Sequence, residues 1–427
     1  MTRVTEAVRD SLDRCVKCTI CESFRPFSKV TPLFPGPKYV GPQAERYRDA
    51  GMSADHSVDY CSGCGICTQV CPQGVKIAEI NSQARAAMWE EQGQIGQVQL
   101  RNQLIARPSV IGKLGTPVAP LANWALGNRT LRGLAHNLIG IHRDAAMPKF
   151  AGRTFQRWAR RHARRAADKT VVYFHGCGTN YYEPAAGEML VAVLEHNGFN
   201  VIIPPQDCCG LPLQSNGRFP AARGYVRRLV ANLAPYAREG IPIVANSTSC
   251  GLMLKREAHE ILGIEDEDLQ VVSKQLFDVC EFLLFLHEKG ELRTDFQPLP
   301  LEVPYHAPCQ QRGHGIGKPA LDLFALVPEL RVIELNIDCC GIAGTYGLKK
   351  EKYDISMAVG EPLFRQIREA KPEVAACGSE TCRWQIEHGS GIHAVHPIEL
   401  LYRAYGLDSP SPALRERVGE RVEKERL

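Results

Sequence analysis

The sequence predicts an α+β N-terminal domain wound around two cysteine runs, followed by two repeated α/β cysteine-rich modules. Three observations carry this. The runs Cys15-x2-Cys18-x2-Cys21 and Cys61-x2-Cys64-x2-Cys67-x3-Cys71-Pro72 stand near the N-terminus. Asp207-Cys208-Cys209-Gly210 returns as Asp338-Cys339-Cys340-Gly341. From residue 170 onward, strand-like and helix-like segments alternate, the pattern of α/β units on a mainly parallel sheet.

In chain order, residues 1–95 hold the two runs. Between them, Pro32 to Pro42 is rich in Pro and Gly and reads as an ordered loop, and Val75 to Glu91 reads as a helix. Residues 96–169 form a basic linker in which Val110 to Trp124 is apolar but interrupted by Gly115, Pro117 and Pro120. Its later part carries Lys149, Arg153, Arg157, Arg160, Arg161, Arg164 and Arg165 among Phe150, Phe155 and Trp158; Arg153, Arg157 and Arg161 fall on one face if helical. Strands are expected at Thr170–Phe174, Asn200–Ile203 and Ile241–Ala245 in a first module, 170–298. They recur at Leu301–Tyr305, Arg331–Leu335 and Val374–Ala376 in a second, 299–407. Residues 408–427 read as a charged tail.

At 427 residues, with 44% hydrophobic residues, 37 Gly and 28 Pro, the chain suits a globular protein of two or three domains. Seventeen cysteines leave two explanations, a secreted disulfide scaffold or a metal protein. The run Met1 to Asp10 has no apolar signal core, so reduced, metal-bound thiols in the cytoplasm are expected. The formal charge of +4 falls once thiolates are counted, and no nucleic-acid partner is expected. No apolar stretch approaches the roughly 20 residues a membrane helix needs. Leu276 to Leu286, which contains Asp278 and Glu281, reads as a buried helix.

A cubane cluster needs four soft thiolates around a small body. CxxCxxC supplies three, and the Cys before Pro ligates the other cluster in two-cluster ferredoxins. The N-terminal domain is therefore read as a ferredoxin-like carrier of two [4Fe-4S] clusters. Cluster one takes Cys15, Cys18, Cys21 and Cys71. Cluster two takes Cys61, Cys64 and Cys67, with Arg25 where its fourth ligand belongs. A guanidinium is no metal ligand. Three states stay open for cluster two: a [3Fe-4S] cluster, a four-iron cluster with another ligand, or none. Zinc is the competing reading of a CxxC pair.

The repeat has a register. His175-Gly176-Cys177 matches His306-Ala307-Pro308-Cys309, and Ser247-Thr248-Ser249-Cys250 matches Ser379-Glu380-Thr381-Cys382. Gly210 and Gly341 would let backbone N–H groups reach the sulfurs. His175 and His306 read as strand-end histidines bonded to a carbonyl, and Cys280 as core. These landmarks resemble the CCG cysteine-rich domain of heterodisulfide reductase and related proteins. Two ferredoxin motifs followed by two CCG modules resemble the C-subunit family of anaerobic glycerol-3-phosphate dehydrogenases. Tyr39-Val40-Gly41-Pro42, Cys340-Gly341-Ile342-Ala343-Gly344-Thr345-Tyr346-Gly347 and Cys382-Arg383-Trp384-Gln385-Ile386-Glu387 support that likeness.

The resemblance implies two further sites: Cys177, Cys208, Cys209 and Cys250 in the first module, and Cys309, Cys339, Cys340, Cys377 and Cys382 in the second. Ser247 and Ser379 stand where a CxxC would begin, so a cubane, a smaller cluster, a noncubane cluster and zinc all stay open there. It also implies an electron-transfer subunit, peripheral on the inner face of the membrane. Such a subunit passes electrons from an FAD-bearing flavoprotein dehydrogenase, oxidising glycerol 3-phosphate, to a quinone pool or a quinone-reducing membrane partner. The alternative is a thiol–disulfide oxidoreductase acting at the second module. No catalytic residue is assigned.

Overall fold

The computed structural model describes residues 5–24, 26–49, 56–92, 96–163 and 167–407. The two halves of the repeat form two four-stranded parallel sheets. The first holds β1 (Lys169–Phe174), β2 (Phe199–Ile202), β3 (Ile243–Ala245) and β4 (Leu276–Asp278). The second holds β5 (Glu302–Tyr305), β6 (Arg331–Glu334), β7 (Ala375–Ala376) and β8 (Ala394–Val395). Their orders, β2-β1-β3-β4 and β6-β5-β7-β8, are the same. Val172 sits opposite Ile202 and Ile243, and Tyr305 opposite Glu334 and Ala376. Central β1 is buried over Val171–Phe174, as helices on both faces require.

Parallel strands place all their C-terminal ends on one edge. Cys177 and Cys309 follow β1 and β5, the two DCCG segments follow β2 and β6, and Cys250 and Cys382 follow β3 and β7. The topology thus gathers each module's cysteines at one edge of its sheet.

The modules share a core. Helix Pro184–His196 packs on Pro397–Ala404, and Val279–Glu288 on Pro319–Phe324. Leu190, Leu194, Phe282, Leu323, Phe324 and Leu400 interlock there with Cys280, which is structural as expected. The N-terminal domain caps both modules: Phe27, Phe34, Val40 and Met88 pack with Tyr346 and Val359, and Gln83 Nε2 donates to Ile261 O at 3.1 Å. Its described residues form helices and turns, without a strand.

Several expectations change. Leu276–Leu286 is not one helix: Leu276–Asp278 is the edge strand β4, and Asp278 then caps helix Val279–Glu288 through a capping box with Glu281. Within Pro32–Pro42 the chain turns helical at Tyr39–Gln43, a widened π-type turn that tolerates Pro42. The basic linker is largely helical, as Gly96–Ile105, Pro108–Gly115, Ala119–Gly127 and Arg129–Leu138. Pro108 and Pro120 sit in first turns, where no N–H is needed, so they start helices rather than break them. Arg153 precedes the short helix Phe155–Ala159 and pairs with Glu188 at 2.6 Å, so Arg153, Arg157 and Arg161 share no helix face. Arg25, Arg164, Arg165 and the tail 408–427 lie outside the described residues.

Candidate metal centres

The first run winds through two left-handed residues, Lys17 (φ 59°) and Thr19 (φ 69°). The second run does the same at Gly63 (φ 70°) and Gly65 (φ 77°). Each two-residue step therefore turns the chain sharply between successive cysteines. Lys17 and Thr19 hold a conformation that non-glycine residues adopt at a cost of about 1–2 kcal/mol each. Cys71 joins the first trio, lining one hollow with Cys15, Cys18 and Cys21. Val75 N donates to Cys71 Sγ at 3.4 Å. Burial, Glu22 and the neighbouring thiols push Cys21 up to about 11, an environment that a bound cation reverses.

Cys61, Cys64 and Cys67 form the second trio. Asn81 Nδ2 donates to Cys61 Sγ at 3.6 Å. Burial pushes Cys64 up to about 12, with Cys339 and Cys61 adding to it. Beside this trio lies buried positive charge. Arg85 donates to the Cys61 carbonyl and, at 3.4 Å, to Val58 O. Arg85, Lys349 and Lys352 all act on Asp59, whose side chain is 18% exposed. Arg85 and Lys352 against one carboxylate suit a further anionic group, which a thiolate-bound cluster would be, while burial and the neighbouring cations push Lys349 well below its ordinary value.

In the first module the thiols form a connected row, Cys177–Cys208–Cys209–Cys250. In the second the row is Cys309–Cys339–Cys340–Cys382–Cys377. The glycines of both CCG motifs are left-handed, Gly210 at φ 86° and Gly341 at φ 88°. Gly210 N donates to Cys208 Sγ at 3.5 Å, and Gly341 N to Cys339 Sγ at 3.3 Å. The thiols of Cys177 and Cys209, then the Gly210 N–H, hold Cys208 well below its ordinary value; Cys309, Cys340 and Gly341 do the same for Cys339. Soft donors, burial and N–H groups aimed at sulfur fit iron–sulfur clusters. Among the described residues no three His, Cys, Asp or Glu close around a single ion position.

Ser247 and Ser379 are helix caps. Ser247 Oγ accepts from Cys250 N at 3.5 Å, and Ser379 opens helix Glu380–Ser390. Gly344 forms a turn into Tyr346–Leu348. His175 keeps the expected carbonyl bond, Nδ1 to Gly176 O at 2.7 Å, and burial lowers it to about 4. His306 departs from it: both ring nitrogens are buried without a partner, near Cys382 and Cys339.

Three of the four thiol groups adjoin in series. Cys21 acts on Cys67, and Cys64 faces Cys339 and Cys309. Both module sites and Cys64 open on one cavity of about 350 Å³. Sequence patterns could not disclose this cavity, because its walls come from segments far apart in the chain.

Residues 11–75 match the 4Fe-4S dicluster domain family. Residues 171–255 and 303–387 match the Cysteine-rich domain family. The chain is 36% identical over 402 residues to the C subunit of the anaerobic glycerol-3-phosphate dehydrogenase of Escherichia coli K12, covering 92% of this chain and 98% of that one. It is 24% identical to the B subunit of the fumarate reductase (CoM/CoB) of Methanothermobacter marburgensis, over 92% of this chain and 72% of that one. It is also 24% identical to the D subunit of the dihydromethanophenazine:CoB–CoM heterodisulfide reductase of Methanosarcina acetivorans, over 81% of this chain and 78% of that one. With its dicluster domain, its two cysteine-rich domains and this likeness along almost its whole length, the chain belongs to the iron–sulfur C-subunit family of anaerobic glycerol-3-phosphate dehydrogenases.

Proposed function

We propose that the chain is an electron-transfer subunit, carrying electrons from a flavoprotein dehydrogenase that oxidises glycerol 3-phosphate to a membrane quinone. The observation that carries this reading is the series that runs from the Cys15 group through the Cys61 group to the second module, with the first module's row opening on the same cavity. Cys15, Cys18, Cys21 and Cys71 hold a [4Fe-4S] cluster in this reading. Cys61, Cys64 and Cys67 hold a second, with Arg25 at the sequence position of a fourth thiolate. The rows in the two modules hold further iron–sulfur clusters.

A peripheral membrane position is supported by the segment between the dicluster domain and β1. From Gln92 to Ala167 it has thirteen Lys and Arg and a single acid, Asp144. Leu114, Leu121, Trp124 and Leu138 are 61–68% exposed there. Exposed apolar side chains amid cations suit an anionic bilayer surface. No helix among the described residues is long and apolar enough to cross a membrane.

A second reading, thiol–disulfide chemistry at the second module, is favoured by the thiols that open on the cavity. The test separates the two. Adding glycerol 3-phosphate to the chain with its flavoprotein partner should bleach the iron–sulfur absorption, and added quinone should restore it. Clusters that stay oxidised, while the isolated chain cleaves a disulfide using an artificial donor, would favour the second reading.

A further inference from the structure

Carboxylates line one part of the central cavity: Glu79, Glu257 and Glu260. Glu257 ends the π-type turn Met253–Glu257, and its Oε2 is sealed from solvent without a hydrogen-bond partner. Such turns inside helices re-aim side chains and are frequent at functional sites. Gln214 from helix Leu211–Ser215, Glu79 from helix Ile77–Gln92, and Arg256 and Glu260 from its own segment face it. Glu79 accepts from Thr68 Oγ1 at 2.7 Å. The Glu260 side chain, 18% exposed, pairs with Lys76 at 3.1 Å and with Arg256 at 3.0 Å. A run of carboxylates therefore leads from the surface to a half-buried acid, its Oε2 sealed, beside the cavity. Burial above all, helped by Glu79 and Glu260 and opposed by Gln214 and Arg256, raises Glu257 to about 7.

Another wall is apolar, built by Leu104, Ile105, Pro108 and Ile111. These residues belong to the helical segment whose exposed Leu114, Leu121 and Trp124 suit a lipid surface. The thiols of both module rows and Cys64 share this cavity of about 350 Å³, so the headgroup would take the part that bound clusters leave.

We propose that this cavity takes the headgroup of a p-quinone and that Glu257 delivers the protons for its reduction. The proposal rests on the electron-transfer reading. Two electrons enter the ring from the reduced cysteine-bound clusters. Each carbonyl oxygen takes one proton, giving the hydroquinone. Glu257 donates each proton in turn and is recharged from solvent through Glu260.

The test uses the anaerobically purified, cluster-loaded chain and a redox-inert fluorescent quinone analogue, 2-heptyl-4-hydroxyquinoline N-oxide. Binding should be saturable. Ile105→Trp and Ile111→Trp, on separate helices, should each weaken it by about tenfold with iron content retained. Glu257→Gln should keep the analogue bound, remove a carboxylic acid C=O band from the infrared spectrum at neutral pH, and flatten the pH profile of hydroquinone formation. No binding to the loaded chain, or binding unchanged in both Trp variants, overturns the proposal; so does an infrared spectrum and pH profile unaltered by E257Q. Cluster reduction by glycerol 3-phosphate through the partner is read separately. If it persists without analogue binding, the carrier reading stands and the cavity assignment fails. If it is absent, both fail.

Discussion

Replacing Lys352 by Met is expected to destabilise the protein by about 3–5 kcal/mol and to loosen the dicluster domain from the second module. The Lys352 side chain is 1% exposed, and its Nζ lies 2.5 Å from Asp59 Oδ2. It also donates to Asp59 O at 2.6 Å and sits over the rings of Tyr60 and Tyr346. Removing it leaves half-buried Asp59 with a weaker counter-charge. Burial alone would raise the Asp59 carboxyl; Lys352, Lys349 and Arg85 outweigh that and hold it well below the usual carboxylate range. A folded value below the unfolded one stabilises the protein above the unfolded pKa of about 4, and that contribution fades only as pH falls through the depressed folded value. The gap between wild type and K352M should therefore be full at neutral pH and close only in strong acid. Lys352→Met combined with Asp59→Asn should recover part of the loss. Urea denaturation, with thiol-reagent access to Cys61 and Cys64, measures both effects. An unchanged midpoint would show that the pair does not hold the domains together.

Gly341→Ala is expected to be the more damaging of two parallel substitutions. Both CCG glycines are left-handed, so a Cβ costs about 1–2 kcal/mol at either. Their surroundings differ. A Cβ at Gly341 would lie 1.9 Å from the Ser356 carbonyl oxygen, in the backbone of helix Tyr353–Ala370. At Gly210 it would lie 3.0 Å from the Ala222 carbonyl oxygen. Gly341→Ala must move the helix or the Cys339–Cys340 turn, at a total of more than about 3 kcal/mol. It should strip iron from the second module while leaving the dicluster signals. Gly210→Ala should lower stability by about 1–2 kcal/mol and keep most iron. Iron per chain, read with thermal unfolding, distinguishes them; equal losses would contradict the packing argument.

The cysteines, the repeat register and the strands β1, β2, β3, β5, β6 and β7 were legible because spacing and β-branched runs encode them locally. The edge strands β4 and β8 were not. Leu276–Asp278 runs into an apolar helix without a break, and Ala394–Val395 is too short for a period of two to register. Prolines that start helices in 96–138 looked like interruptions, because a lone Pro does not declare whether it stands at a helix's first turn. Lys352, Glu257 and the cavity were hidden for another reason. The Lys352–Asp59 pair spans 293 positions, and Glu257 owes its setting to Glu79 and Gln214 from other segments. No local pattern marks such meetings.

The central claim is that these thiol groups are an iron–sulfur wire. Iron, acid-labile sulfide and zinc should be measured on chain purified without oxygen, with EPR spectra recorded through a reductive titration. The account predicts iron and sulfide in nearly equal amounts, little zinc, and several spin signals that interact as neighbouring centres become reduced. Stoichiometric zinc in the modules, or a single isolated cluster signal, would contradict it.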